Sequence, residues 1–216
     1  MTGLQTGNFE KSLVAKPGFH KTAADYLTRP AVWLLARTSI TPSTLTWLGL
    51  LLAAGTAALI ITGHPLAAGL LMLVAGYFDI LDGALARRTG KATRFGAVLD
   101  STIDRLSESI VLIGILVLFL FTEERTFFAL LSREWSILLV GLALLSSPLV
   151  SYIRARAETQ KIDCQIGIFT RAERVVVLAL GLLINQIAIA LAIITVLSLI
   201  TAGQRLFYVQ KQTRLS

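Results

Sequence analysis

Charge and cysteine are what this chain has least of. Of its 216 residues only 15% are Asp, Glu, Lys or Arg, and Cys164 is the single cysteine. One thiol cannot close an internal disulfide, and it has no neighbouring cysteines with which to build a metal cluster. Acidic residues are the scarcer sign, 13 against 20 basic ones, for a formal net charge of +7. No internal repeat or low-complexity tract is visible. A secretory signal is not expected either, because Lys11, Lys16, Lys21 and Asp25 break up the apolar pieces of the first 40 residues and no cleavage site follows.

Apolar residues fill the space that charge leaves. They make up 55% of the chain, and the mean hydropathy of +0.73 lies outside the soluble range. Several runs approach the length of about 20 residues that spans a bilayer core. In such a chain a basic excess marks cytoplasmic loops, anionic headgroups or anionic substrates, so nucleic acid is not an expected partner.

The pattern predicts an all-α integral membrane protein with six transmembrane helices preceded by an interfacial amphipathic helix. Residues 17–37 mix Phe19, Tyr26, Val32 and Trp33 with Lys21, Asp25, Arg29 and Arg37, which suits a helix lying in the interface. Pro42 is placed to start a helix. Spans are expected near 42–62, 66–87, 96–121, 135–156, 172–184 and 186–207. Gly63-His64-Pro65 parts the first two, and the polar stretch Glu123 to Glu134 parts the third and fourth. No Gly or Pro interrupts Asn185-Gln186, so one long kinked segment stays open there. Basic residues cluster in the N-terminal arm, at Arg87–Arg94, at Arg154–Arg174 and in the tail, while the other side keeps only Arg125 and Arg133. Both termini are therefore expected in the cytoplasm, which an even number of spans satisfies. The expected organisation is an arm with the interfacial helix over 1–41, a membrane domain over 42–207 and a cytoplasmic tail over 208–216.

Four carboxylates break the apolar pattern. Asp79 and Asp82 are three apart, and Asp100 and Asp104 four apart, so each pair shares one helix face. The short polar turn around Gly90 makes the two helices antiparallel neighbours, letting the pairs converge. An Asp left in hydrocarbon costs about 2.5–3.5 kcal/mol, and four crowded carboxylates repel unless neutralised. Two divalent cations would balance them, and all-oxygen ligation favours Mg²⁺ or Mn²⁺. The plainer alternative is a solvated loop in which Asp residues pair with Arg87, Arg94 or Arg105.

Asp79-x-x-Asp82-Gly83-x-x-Ala86-Arg87, followed after eight residues by Gly96-x-x-x-Asp100-x-x-x-Asp104, resembles the signature of the CDP-alcohol phosphotransferase family, with every position filled. The resemblance implies that Asp79, Asp82, Asp100 and Asp104 hold two metal ions and that Asp104 is also the general base. It implies CDP-lipid contacts at Ser43, Thr44, Leu45, Thr46, Gly83, Arg87 and Thr93. Thr44 and Thr46 equally suit helix-start hydroxyls, and Gly83 and Gly96 equally suit close helix packing. Glu108 and Arg105 continue the polar face as supporting charges. The family reaction is attack of an alcohol on a CDP-linked lipid such as CDP-diacylglycerol, with release of CMP. A homodimer in a prokaryotic cell membrane, with the active site facing the cytoplasm, is implied with it.

The acceptor is sought in "SYIRARAETQKIDCQIGIFTRAER". Arg154, Arg156, Arg171 and Arg174 flank this loop, and arginine forks match phosphate oxygens. The stretch resembles the phosphatidylinositol phosphate synthases within the family, which implies inositol phosphate as acceptor and those four arginines around its phosphate. Arg154 stands where lysine is common, and Ala172 where proline is common. Glycerol 3-phosphate as acceptor and CDP-archaeol as donor remain open. A cation channel or transporter would use intramembrane carboxylates too, but needs polar residues through the bilayer depth, whereas "LIGILVLFLF" and "LAIITVLSLI" are nearly all apolar. A purely structural lipid-binding protein leaves the aspartates without a role.

Overall fold

A computed structural model describes residues 28–38, 40–121 and 132–215. The expected arm residues Lys11, Lys16, Phe19, Lys21, Asp25 and Tyr26, and Glu123, Glu124 and Arg125 of the polar stretch, lie outside the described residues. Described residues are helical over 28–35 (α1), Pro42–Ile61 (α2), Pro65–Thr89 (α3), Arg94–Phe121 (α4), Arg133–Thr159 (α5), Arg171–Leu183 (α6) and Ile187–Leu215 (α7).

Local chemistry sets these boundaries. Thr41 caps α2 by accepting the Thr44 N–H at 3.3 Å, with Pro42 in the first turn. Gly90 ends α3 in the left-handed conformation, φ 65°. Thr93 starts α4, its hydroxyl accepting the Gly96 N–H at 2.9 Å. At α6, Glu173 reaches back to the Thr170 N–H at 2.8 Å, closing a capping box. Asn185, at φ 55°, separates α6 from α7, so the chain forms two helices here and not one kinked segment. Residues 208–215 of the expected tail continue α7.

Each of α2 to α7 packs chiefly on two others, in the order α2–α3–α6–α7–α5–α4 and back to α2. The ring is closed by small residues. An added Cβ on Gly114 of α4 would lie 2.9 Å from the Ala57 Cβ of α2, and one on Gly181 of α6 would lie 2.4 Å from the Ala190 Cβ of α7. Such contacts let membrane helices approach closely where no hydrophobic drive separates protein from lipid. Inside the ring, Ile60, Ile115, Phe119, Val140, Leu182 and Leu191 are fully buried. Outside it, Leu51, Leu66, Leu145 and Val196 remain exposed on the helix surfaces.

By length and composition α2, α3, α5 and α7 can cross a membrane. α6 has only 13 residues, and α4 carries Asp100, Asp104, Arg105 and Glu108. Gly114→Ala should force α2 and α4 apart and cost about 1–3 kcal/mol, as overpacking does. The expected outcome is a lowered thermal midpoint of the detergent-purified protein.

Candidate functional site

α3 and α4 run on either side of the Gly90 turn and bring their acidic faces together. Carboxylate oxygens of Asp79, Asp82 and Asp100 lie within 4.8 Å of one another. Asp82 is buried, and its Oδ2 accepts a hydrogen bond from the Thr46 hydroxyl of α2 at 2.8 Å. Asp104 lies one turn further along α4, beside Asp79. Its Oδ1 lies 2.8 Å from Arg171 Nη1, which also donates to Asp79 Oδ2 at 2.6 Å. A single guanidinium from the first turn of α6 thus bridges two acids from α3 and α4.

One turn deeper, Arg174 is 2% exposed and forms a fork with Glu108: Nε donates to Oε1 at 2.7 Å and Nη2 to Oε2 at 3.0 Å. Its Nη1 and the Nε of Arg171 are buried without a hydrogen-bond partner. All these groups except Asp100 line one cavity, roughly 730 Å³ including its open mouth. The inner end is apolar, made by Ala53, Met72, Leu112, Leu178 and Ile194.

The four arginines expected around the acceptor phosphate divide into two sets. Arg171 and Arg174 line the cavity, whereas Arg154 and Arg156 are exposed on α5, Arg154 pairing with Glu158 at 2.9 Å. The lipid-side residues also divide. Thr46 and Leu45 are buried and line the cavity. Ser43 and Thr44 are exposed at the start of α2, Thr44 hydrogen-bonded to Thr41 at 2.8 Å. Thr93 caps α4. Arg87 is exposed and folds over Gly83, where an added Cβ would sit 3.3 Å from Nη1.

Two residues gain weight from the structure. Glu108 extends the Asp100–Asp104 series by another four residues, a signal present in the sequence. Arg205 of α7 is buried, donating to Ile166 O at 2.9 Å and to Val150 O at 2.6 Å. It thereby holds the loop before α6 against α5 and α7. Its only sequence signal is an arginine inside an apolar helix.

Three converging carboxylates form an all-oxygen donor set that fits a hard divalent cation. The Thr46 bond fixes one of them, and groups that orient a ligand typically change metal affinity about 10–100-fold when removed. Thr46→Val should therefore weaken Mn²⁺ binding, read by electron paramagnetic resonance of the purified protein, while Thr46→Ser should retain most of it.

Residues 39–203 match the family model described as CDP-alcohol phosphatidyltransferase. The chain is 37% identical to the archaetidylinositol phosphate synthase of Pyrococcus horikoshii, over 82% of this chain and 88% of the relative. It superimposes on the phosphatidylinositol phosphate synthase of Mycobacterium tuberculosis, 31% identical. The complex with manganese and citrate gives a TM-score of 0.75, covering 85% of this chain and 88% of the other. The form with CDP-DAG bound gives 0.73, covering 85% and 94%. With three of the four signature acids on one cavity, the fourth beside them, and the match running through α2 to α7, this chain belongs to the CDP-alcohol phosphatidyltransferase family.

Proposed function

We propose that the chain transfers a phosphatidyl group from CDP-diacylglycerol to inositol phosphate and releases CMP. The observation that carries this reading is the meeting of two opposite recognition sets on one cavity. Asp79, Asp82 and Asp104 line it together with Arg171 and Arg174, and Arg171 touches both Asp79 and Asp104. Carboxylates suit a metal-chelated pyrophosphate, and guanidinium forks suit a phosphorylated acceptor. The inositol phosphate acceptor agrees with the names of both relatives above, and the donor with the lipid bound in the mycobacterial structure. The archaeal relative favours a second reading in the donor alone, CDP-archaeol.

In this mechanism a hydroxyl of the acceptor attacks the phosphorus that bears the lipid. A P–O bond forms to the acceptor, the bond to the bridging oxygen of CMP breaks, and the acceptor proton passes to Asp104. Two divalent ions, Mg²⁺ or Mn²⁺, held by Asp79, Asp82, Asp100 and Asp104, would neutralise the pyrophosphate and stabilise charge on the leaving oxygen. Thr46 keeps Asp82 oriented, and Leu45, Gly83, Arg87 and Thr93, with Ser43 and Thr44 at the start of α2, stand on the nucleotide side. Arg171 and Arg174 take the acceptor phosphate, with Arg154 and Arg156 at its approach.

The same reading has α2 to α7 as six crossings, α1 in the interface and both termini in the cytoplasm. The site then opens on the cytoplasmic face of a prokaryotic cell membrane, with the protein a homodimer. The division into an arm over 1–41, a membrane domain from residue 42 and a short cytoplasmic end follows from it. An apolar inner end to the cavity accords poorly with a continuous cation path.

The test is CMP release from CDP-diacylglycerol by detergent-purified protein, with inositol phosphate, free inositol, glycerol 3-phosphate and serine compared as acceptors. Release with inositol phosphate that chelator abolishes is the expected result. Release with glycerol 3-phosphate alone would overturn the acceptor. Asp104→Asn should slow turnover by at least about 10²-fold, the usual contribution of a positioned base, and a variant at full activity would remove that role. Arg174→Ala should raise the acceptor KM more than the CDP-lipid KM.

A further inference from the structure

We infer that Glu108 is a positioning residue that sets how the protein meets the acceptor phosphate, by holding Arg174 through two of its nitrogens and leaving the third for the ligand. The inference rests on the acceptor site proposed above and extends it to a residue outside the signature. Arginine has a flat guanidinium on a flexible stem, so a useful phosphate donor must be held in one orientation. Glu108 supplies that restraint. Its two oxygens take Arg174 Nε and Nη2 at 2.7 and 3.0 Å, with Arg174 2% exposed and the Glu108 side chain 11% exposed.

What remains is Nη1, buried and without a hydrogen-bond partner. A charged donor left unpaired in a low-dielectric wall is costly unless a ligand satisfies it. Arg174 lines the cavity beside Ser107, Val175 and Arg171, and Arg171 likewise keeps an unpartnered buried Nε. Two unsatisfied guanidinium nitrogens on neighbouring turns of one wall match an oxyanion with several acceptor oxygens. The phosphate of the acceptor has that chemistry.

The geometry and the charge of Glu108 predict opposite outcomes on substitution, which separates positioning from a simple field effect. Glu108→Gln is nearly isosteric, but its amide presents one acceptor and one donor to two N–H groups, so the fork breaks. It also removes a negative charge beside an anionic substrate. If Glu108 acted only through its charge, the acceptor KM would fall. As a positioning residue, it should raise the acceptor KM about tenfold, equivalent to about 1.4 kcal/mol. The CDP-diacylglycerol KM should stay unchanged and kcat at saturating acceptor within about twofold. Glu108→Asp keeps the charge but is one methylene short of spanning both nitrogens. It should raise the acceptor KM in the same direction, where a field effect would leave it unaltered.

The experiment measures both KM values for the wild-type protein, Glu108→Gln and Glu108→Asp in detergent, alongside their thermal midpoints. If Glu108→Gln does not fold, Glu108→Asp decides by the same criterion. An acceptor KM that is unchanged or lower, or a parallel rise in both KM values, overturns the inference. Wild-type protein that turns over only glycerol 3-phosphate would overturn the inositol phosphate reading instead. Glu108 is then tested with that phosphate by the same comparison.

Discussion

Acidic groups inside a ring of apolar helices have to be neutralised where they stand. Water cannot screen them at depth, and a buried charge without a partner costs several kcal/mol. The described residues answer this in part from within. Arg171 bridges Asp79 and Asp104, and Arg174 is forked to Glu108. Asp82 has only a neutral hydroxyl from Thr46 as its hydrogen-bond donor side chain, and Asp82 and Asp100 sit close to Asp79. The cluster is left richer in negative than in positive groups, an arrangement whose natural complement is a multivalent cation. Helix order follows from the same need. α3, α4 and α6 must meet at one point for these charges to offset one another, and α2 must lie near enough to deliver a hydroxyl.

Close packing makes that meeting possible. Gly69 of α3 packs against Leu183 and the Ala179 carbonyl of α6, and Gly114 of α4 against Ala57 of α2. Each removes a side chain from a seam beside the site. A methyl group at either seam would move backbone, and the site depends on distances near 3 Å. Stability and chemistry are therefore coupled through glycines that touch no reacting group.

Much of the site was legible in the sequence because helical spacing carries it. The spacing of Asp79, Asp82, Asp100 and Asp104 put each pair on one helix face, and Glu108 falls on the same period. The ring order was not legible, since nothing local says that α3 meets α6 or that α5 meets α7. For the same reason the four arginines looked equivalent in sequence. Only the path of the loop between α5 and α6 sends Arg171 and Arg174 into the cavity and leaves Arg154 and Arg156 on a helix surface. The break at Asn185 was expected between the fifth and sixth spans, yet one kinked segment stayed open there because a left-handed asparagine, unlike Gly or Pro, is a weak signal. The helical continuation beyond residue 207 was not legible either, because a polar stretch can end an apolar run without ending a helix.

Arg205 clasps the loop at Ile166, and Gly167 beside it, at φ 131°, leaves no room for a side chain: an added Cβ would lie 2.6 Å from Thr201. Cys164 and Phe169 are buried on either side. From Cys164 onward the loop therefore has fixed length as well as fixed shape. Insertions and deletions between α5 and α6 are absorbed with least disturbance at Gln160 to Asp163, where Lys161 already turns through a left-handed conformation and is exposed. A change of length confined to the loop's first half would leave Arg171 and Arg174 at the same reach from the aspartates.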